Sequence, residues 1–138
     1  MEKEMIPVSG EFSVKFLARE IKINPKQFGV FRGENYALAF AAIVTILKEL
    51  KIEYDTDKIV EALNTASWIG RTEVIGREPL TILDGAHNID AIEKLFKSVS
   101  KINHKKLITV FAIMSRKDHE HIAPVVRKNS DILIVTTN

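Results

Sequence analysis

The second half of the chain alternates between short apolar runs and helical periodicity, and this rhythm narrows the choice of fold sharply. The apolar runs are Leu80–Leu83, Leu107–Ile113 and Ile132–Val135. Between them, Asp90–Lys101 repeats Ile92, Leu95, Phe96 and Val99 on one helical face. Lys117–Lys128 reads as a second helix, which Pro124 is placed to kink or break. Strand, helix, strand, helix, strand at these lengths predicts parallel pairing through right-handed crossovers. Parallel sheets ordinarily have both faces covered, and three strands make a small one. The pattern therefore predicts an α/β unit that is cut short on both sides.

Upstream the pattern changes. Phe12, Val14 and Phe16 alternate with Ser13 and Lys15 as in a half-exposed strand, and Ile21 and Ile23 repeat the alternation. Pro25 and Gly29 punctuate a loop. From Glu34 to Leu50 the spacing is helical, with Leu38, Ala41, Ala42, Thr45 and Ile46 on one stripe. Asp55 reads as the N-cap of a helix from Thr56 to about Leu63, and Tyr54 and Ile59 have the spacing of a hydrophobic staple. Glu73–Ile75 and Leu80–Leu83 read as two strands around the turn Gly76–Pro79. A boundary is expected at that turn, dividing residues 1–76 from 77–138.

Composition removes several classes of function. The chain is 46% hydrophobic and 28% charged, an ordinary globular balance. Its longest apolar run, Tyr36–Leu47, is too short to cross a bilayer. The N-terminal MEKEMIPVSG has no apolar core of the signal-peptide kind, so a cytoplasmic protein without a membrane partner is expected. With no cysteine, disulfides, thiolate nucleophiles and Cys-based metal sites are excluded. The net charge is +2, and the basic pairs Lys105-Lys106, Arg116-Lys117 and Arg127-Lys128 are dispersed, so nucleic acid is not an expected partner. His119 and His121 flank Glu120, but side chains two apart on a helix diverge, and they read as a solvated face without a metal. Phe96, Phe111 and Trp68 read as core residues.

The densest polar cluster is DGAHN, Asp84 to Asn88, at the end of an apolar strand. Ligands of open parallel sheets bind beyond the carboxyl ends of the strands. A carboxylate at Asp84 suits the vicinal diol of a ribose. Gly85 admits close approach, and Asn88 suits the cap of the next helix, whose N-terminus offers N–H groups to an anion. His87 between them is able to donate to a phosphate or stack on a base. The same residues are also ordinary turn and cap formers. Neither a P-loop pattern nor G-x-G-x-x-G occurs in the chain.

Longer patterns add specificity. Ile82–Asn88 reads I-L-D-G-A-H-N, and Trp68–Glu73 reads W-I-G-R-T-E. Together they resemble the folylpolyglutamate synthase/dihydrofolate synthase family of the Mur ligase superfamily, which carries W-x-G-R-x-E before a strand ending L-D-G-A-H-N. Ile69 stands where proline is usual. Gly29 and Asn35 match the ends of the family's G-x-H-Q-x-x-N, while Phe31 and Arg32 replace its His and Gln. Lys117-Asp118 resembles the D-K-D after the next strand, with Arg116 for the first Asp. The resemblance runs from about Phe28 onward.

It implies the end of a Mur-ligase central domain followed by the first βαβαβ part of a Rossmann-like C-terminal domain. It implies ATP as nucleotide, with Asp84 on the ribose, Arg71 on the phosphates, Asn35 near the adenine and His87 at the same cleft as a residue that affects activity. Asn88, Lys117 and Asp118 are secondary candidates. The implied reaction joins L-glutamate to a folate through an acyl phosphate, as in folate biosynthesis and one-carbon metabolism. Mg²⁺ is implied too, with ligands outside this chain. So is an N-terminal P-loop region in cis or trans, without which the chain alone is expected to be inactive. Three readings stand beside this one: a stand-alone nucleotide-binding or regulatory module, a Mur-type ligase for another amino acid, and a fragment that folds only on a partner. Locally, Asn35 also reads as a helix start, and Arg71 with Glu73 as a cross-strand surface pair.

Overall fold

The computed structural model describes residues 12–16, 19–25, 29 and 32–137. The N-terminal stretch Met1–Gly10 and Phe31, both used above, lie outside the described residues, as do the side chains of Phe12 and Phe16. The chain forms two compact units, Met1–Ile69 and Gly70–Asn138. The turn at Gly76–Pro79 therefore falls inside the second unit.

In the first unit, β1 (Phe12–Phe16) and β2 (Arg19–Ile23) pair antiparallel, with Val14 opposite Ile21. Two helices follow, α1 (Arg32–Glu49) and α2 (Thr56–Thr65). Asp55 caps α2 as its sequence predicts, its side chain accepting from the Asp57 N–H at 2.9 Å. The core gathers Ile21, Ile23, Tyr36, Phe40, Val44, Ile59 and Leu63. The expected stripe on α1 is corrected. Tyr36, Phe40 and Val44 are buried, whereas Leu38 is 71% and Ile46 57% exposed. Apolar residues occupy much of the circumference of α1, so spacing alone admits two stripes; the packing of β2 and α2 selects one.

α1 ends on a left-handed residue that is not glycine. Lys51 has φ +54°; its N–H donates to the Lys48 carbonyl at 3.0 Å, and the Ile52 N–H donates to Leu47 at 2.9 Å. These are the two bonds of a Schellman motif, and they satisfy carbonyls that the helix leaves open.

The second unit opens with the hairpin β3 (Glu73–Arg77) and β4 (Leu80–Leu83), in which the register shifts between Val74 and Gly76. Then come α3 (Ile89–Val99), β5 (Ile108–Phe111), α4 (His119–Lys128) and β6 (Ile132–Val135). β5 and β6 run parallel, with Ile108 opposite Ile132 and Val110 opposite Ile134. Among the described residues β4 is hydrogen-bonded only to β3, and antiparallel. Of the expected three-stranded parallel ladder, the described residues therefore show one hydrogen-bonded parallel pair, β5–β6, while the tight turn after Arg77 gives β4 an antiparallel neighbour on one edge.

α4 continues through Pro124, whose ring removes one helical donor without ending the helix. Its buried residues Ile122 and Val126 meet Ile92 and Phe96 of α3 in the core of this unit. One face of the β5–β6 pair packs there through Phe111 and Leu133. On the opposite face Ile108, Val110, Ile132 and Ile134 are exposed. Among the described residues no helix is long and apolar enough to cross a membrane.

Candidate functional site

Asp84 follows the last residue of β4, and the Gly70–Thr72 loop leads into β3. Because the hairpin sets Glu73 opposite Leu83, the loop and the DGAHN turn become neighbours. Both carboxylate oxygens of Asp84 are engaged. Oδ2 accepts from the Thr72 N–H at 2.7 Å, and Oδ1 accepts from the Ala86 N–H at 2.7 Å. The Gly85 N–H donates to the Gly70 carbonyl at 2.7 Å, and the Gly70 N–H donates to Glu73 Oε2 at 2.7 Å. Two of these hydrogen bonds, Thr72 to Asp84 and Gly85 to Gly70, fasten the two segments together around Arg71, and the other two brace each segment within itself.

The loop takes an uncommon backbone path. Gly70 has φ +68° and Thr72 φ +46°. A β-branched residue in the left-handed region is a steric outlier, and Thr72 is only 2% exposed. Its hydroxyl donates to the Arg71 carbonyl at 2.8 Å. A Cβ added to Gly85 would meet the Gly70 carbonyl oxygen at 3.4 Å and Arg71 Nη1 at 3.7 Å. The exposed Arg71 side chain thus brings its guanidinium beside the DGAHN turn, at a distance where even a Cβ on residue 85 would make only ordinary contact.

His87 folds back on the same turn, with Nδ1 2.9 Å from the Gly85 carbonyl oxygen. A carbonyl only accepts, so Nδ1 carries the proton. Nε2 then accepts while the ring is neutral and donates to a phosphate only as imidazolium. Asn88 is the N-cap of α3, its Oδ1 accepting from the Ala91 N–H at 2.8 Å. Asp118 caps α4, with its Oδ1 2.7 Å from His121 Nδ1. The hydrogen bond from the His121 side chain, chiefly, holds the Asp118 carboxyl below its usual range. Lys117 is half-buried, and its carbonyl accepts from the His119 N–H at 2.7 Å. Asn35 is exposed in the first turn of α1, in the other unit.

Arg71, Asp84 and His87 are therefore drawn together around one turn. Asn88 and Asp118 are committed to helix caps. Sequence reading offered Glu73 as a motif position and a surface partner for Arg71; that its carboxylate instead takes the Gly70 N–H, and that Thr72 is left-handed, has no spacing signature. Each Asp84 oxygen retains a second lone pair beyond its amide bond, and the residue is half-buried, so the carboxylate fits a diol donor. For a divalent cation the fit fails: among the described residues no group of three His, Cys, Asp or Glu side chains is arranged to hold one.

The family model described as Mur ligase, glutamate ligase domain, matches residues 70–138. The chain belongs to the Mur ligase family. Among its relatives is a probable bifunctional folylpolyglutamate synthase/dihydropteroate synthase of Haloferax volcanii, 30% identical over 122 residues, covering 83% of this chain and 14% of that protein. Another is the UDP-N-acetylmuramoyl-L-alanyl-D-glutamate–2,6-diaminopimelate ligase of Aquifex aeolicus, 29% identical over 129 residues, covering 91% of this chain and 26% of that protein. A solved FPGS–AMPPCP–folate complex superposes with a TM-score of 0.71 at 24% identity, over 83% of this chain and 28% of that one. This Mur ligase chain therefore spans between about a seventh and somewhat over a quarter of these three proteins.

Proposed function

We propose that this chain supplies the ribose- and phosphate-facing part of an ATP-dependent ligase that adds L-glutamate to a folate. In this reading Asp84 accepts the ribose hydroxyls on its remaining lone pairs, Arg71 offers its planar fork of donors to the phosphates, and His87 stands at the same turn. Asn35 is the side chain that the family resemblance assigns to the adenine, and a P-loop portion outside this chain completes the nucleotide site. Lys117 is a secondary candidate for the same nucleotide. The observation that carries the reading is the fastening of the Arg71 loop to the Asp84 turn, which makes neighbours of two ligand-type side chains far apart in sequence.

The chemistry would pass the γ-phosphoryl group of ATP to a folate carboxylate oxygen, releasing ADP. The glutamate amine would then attack the acyl carbon, forming the C–N bond as the C–O bond to phosphate breaks and the amine loses its proton. Mg²⁺ would offset charge on the phosphates, held by residues outside this chain. Arg71 and Asp84 contribute by placing the nucleotide, which is most of what such transfers require of a protein.

Calorimetric titration with ATP tests the binding half. The unaltered chain should bind saturably, and Arg71→Ala should weaken binding about tenfold. No heat at millimolar ATP would overturn the reading. ATP-dependent incorporation of labelled glutamate into a folate, by a polypeptide carrying both this chain and a P-loop segment, tests the other half. Similarity to the Aquifex ligase supports a second reading, a ligase for another amino acid, and incorporation of that amino acid in place of glutamate would select it.

A further inference from the structure

The fastening around Arg71 extends to Glu73, a residue that the proposed nucleotide contacts do not use. Gly70 and Thr72, on either side of Arg71, both adopt left-handed backbone, and each has its N–H held by a carboxylate. Glu73 takes the Gly70 N–H and Asp84 the Thr72 N–H. Left-handed backbone at a β-branched residue persists only where surrounding structure imposes it, and such strain gathers where a side chain must be held in one place. Arg71 itself is exposed, with Nη1 beside Gly85. Binding through a long side chain costs rotamer entropy and loop-ordering entropy together, and a backbone that is already fixed removes the second.

We propose that Glu73 is a positioning residue, which together with the Thr72–Asp84 bond clasps the Gly70–Thr72 loop and presets the Arg71 guanidinium beside the DGAHN turn for an anionic ligand. Glu73 acts through Arg71 and does not meet the ligand. The anion is taken to be the nucleotide phosphate, so the inference rests on the function proposed above. It adds a second carboxylate to the site and assigns it a mechanical part.

The test is a double-mutant cycle on the 138-residue chain, read by amide and arginine side-chain NMR during titration with ATP. Glu73→Ala should weaken ATP binding about fivefold to tenfold and leave the amide spectrum of α3, α4, β5 and β6 in place. Glu73→Gln, which keeps an acceptor for the Gly70 N–H, should recover most of the affinity. In an Arg71→Ala background Glu73→Ala should cost nothing further. The heteronuclear NOE at Arg71 Nε–H should fall in Glu73→Ala whether or not ATP is present. An unchanged affinity in Glu73→Ala, or the same loss with and without Arg71, overturns the proposal. If the unaltered chain does not bind ATP, the nucleotide reading fails by itself, and the NOE decides the clasp: equal rigidity of Arg71 in both proteins overturns it. Should Glu73→Ala not fold, Glu73→Gln carries the same measurements, with a smaller loss expected.

Discussion

Replacing Asp84 with alanine should damage the fold as well as the site. The substitution removes two charge-assisted acceptors, each 2.7 Å from a backbone nitrogen, one belonging to buried Thr72. A hydrogen bond to a charged group contributes about 1.5–3 kcal/mol, so the pair represents roughly 3–6 kcal/mol. Two effects reduce that sum. The half-buried site lets water reach the Ala86 N–H, and Thr72 released from its left-handed backbone regains about 1–2 kcal/mol. The net expectation is a loss of about 2–4 kcal/mol. Urea denaturation followed by amide signals of the Gly70–Asn138 unit would measure it, and hydrogen exchange at Thr72 and Ala86 would locate it. Asp84→Asn retains a single acceptor and should lose about half as much. A loss below about 0.5 kcal/mol for Asp84→Ala would refute the strut, leaving the carboxylate as a ligand group alone.

Further expectations concern caps, core and pH. Lys51→Gly should stabilise the first unit by about 0.5–1 kcal/mol in thermal melts, since glycine takes the left-handed position without a Cβ clash. Asn88→Ala should cost about 1 kcal/mol by removing the cap of α3, whereas Asn88→Asp should be near neutral by the same measurement. Ile122→Ala, in the core between α3 and α4, should cost about 2–5 kcal/mol in urea titrations. Asp118 has a folded-state pKa below its ordinary 3.8, so its contribution is present above that value and is lost as pH falls through the lower, folded one. An NMR titration of its carboxyl carbon should give a midpoint under 3.8; a midpoint at or above it would contradict the His121 contact.

Local signals carried much of this structure. Asp55 and Asn88 announce their helices because a short polar side chain before an apolar period has one favourable use. Ile92 and Phe96 mark the inner face of α3 because polar residues occupy its other side. α1 defeats the same logic, since Leu38, Ile43 and Ile46 compete with Tyr36, Phe40 and Val44, and only tertiary packing decides. For β4 the apolar run states that a strand exists but not which neighbour it takes, and among the described residues it is bonded to β3 alone. At the site, Asp84, Arg71 and His87 stand out through their motifs. Glu73 is a fixed position of W-x-G-R-x-E, but what it does there depends on a hydrogen bond within one loop, and the part of Thr72 on a backbone angle, neither of which residue order shows.

The uncovered side of the β5–β6 pair has a practical consequence at the bench. Ile108, Val110, Ile132 and Ile134 lie in register as a flat tile of branched side chains open to solvent. Dyes that brighten on greasy surfaces should light up on the well-folded chain. Such fluorescence, the customary sign of a loosened interior, would be misleading here unless near-ultraviolet dichroism were recorded beside it.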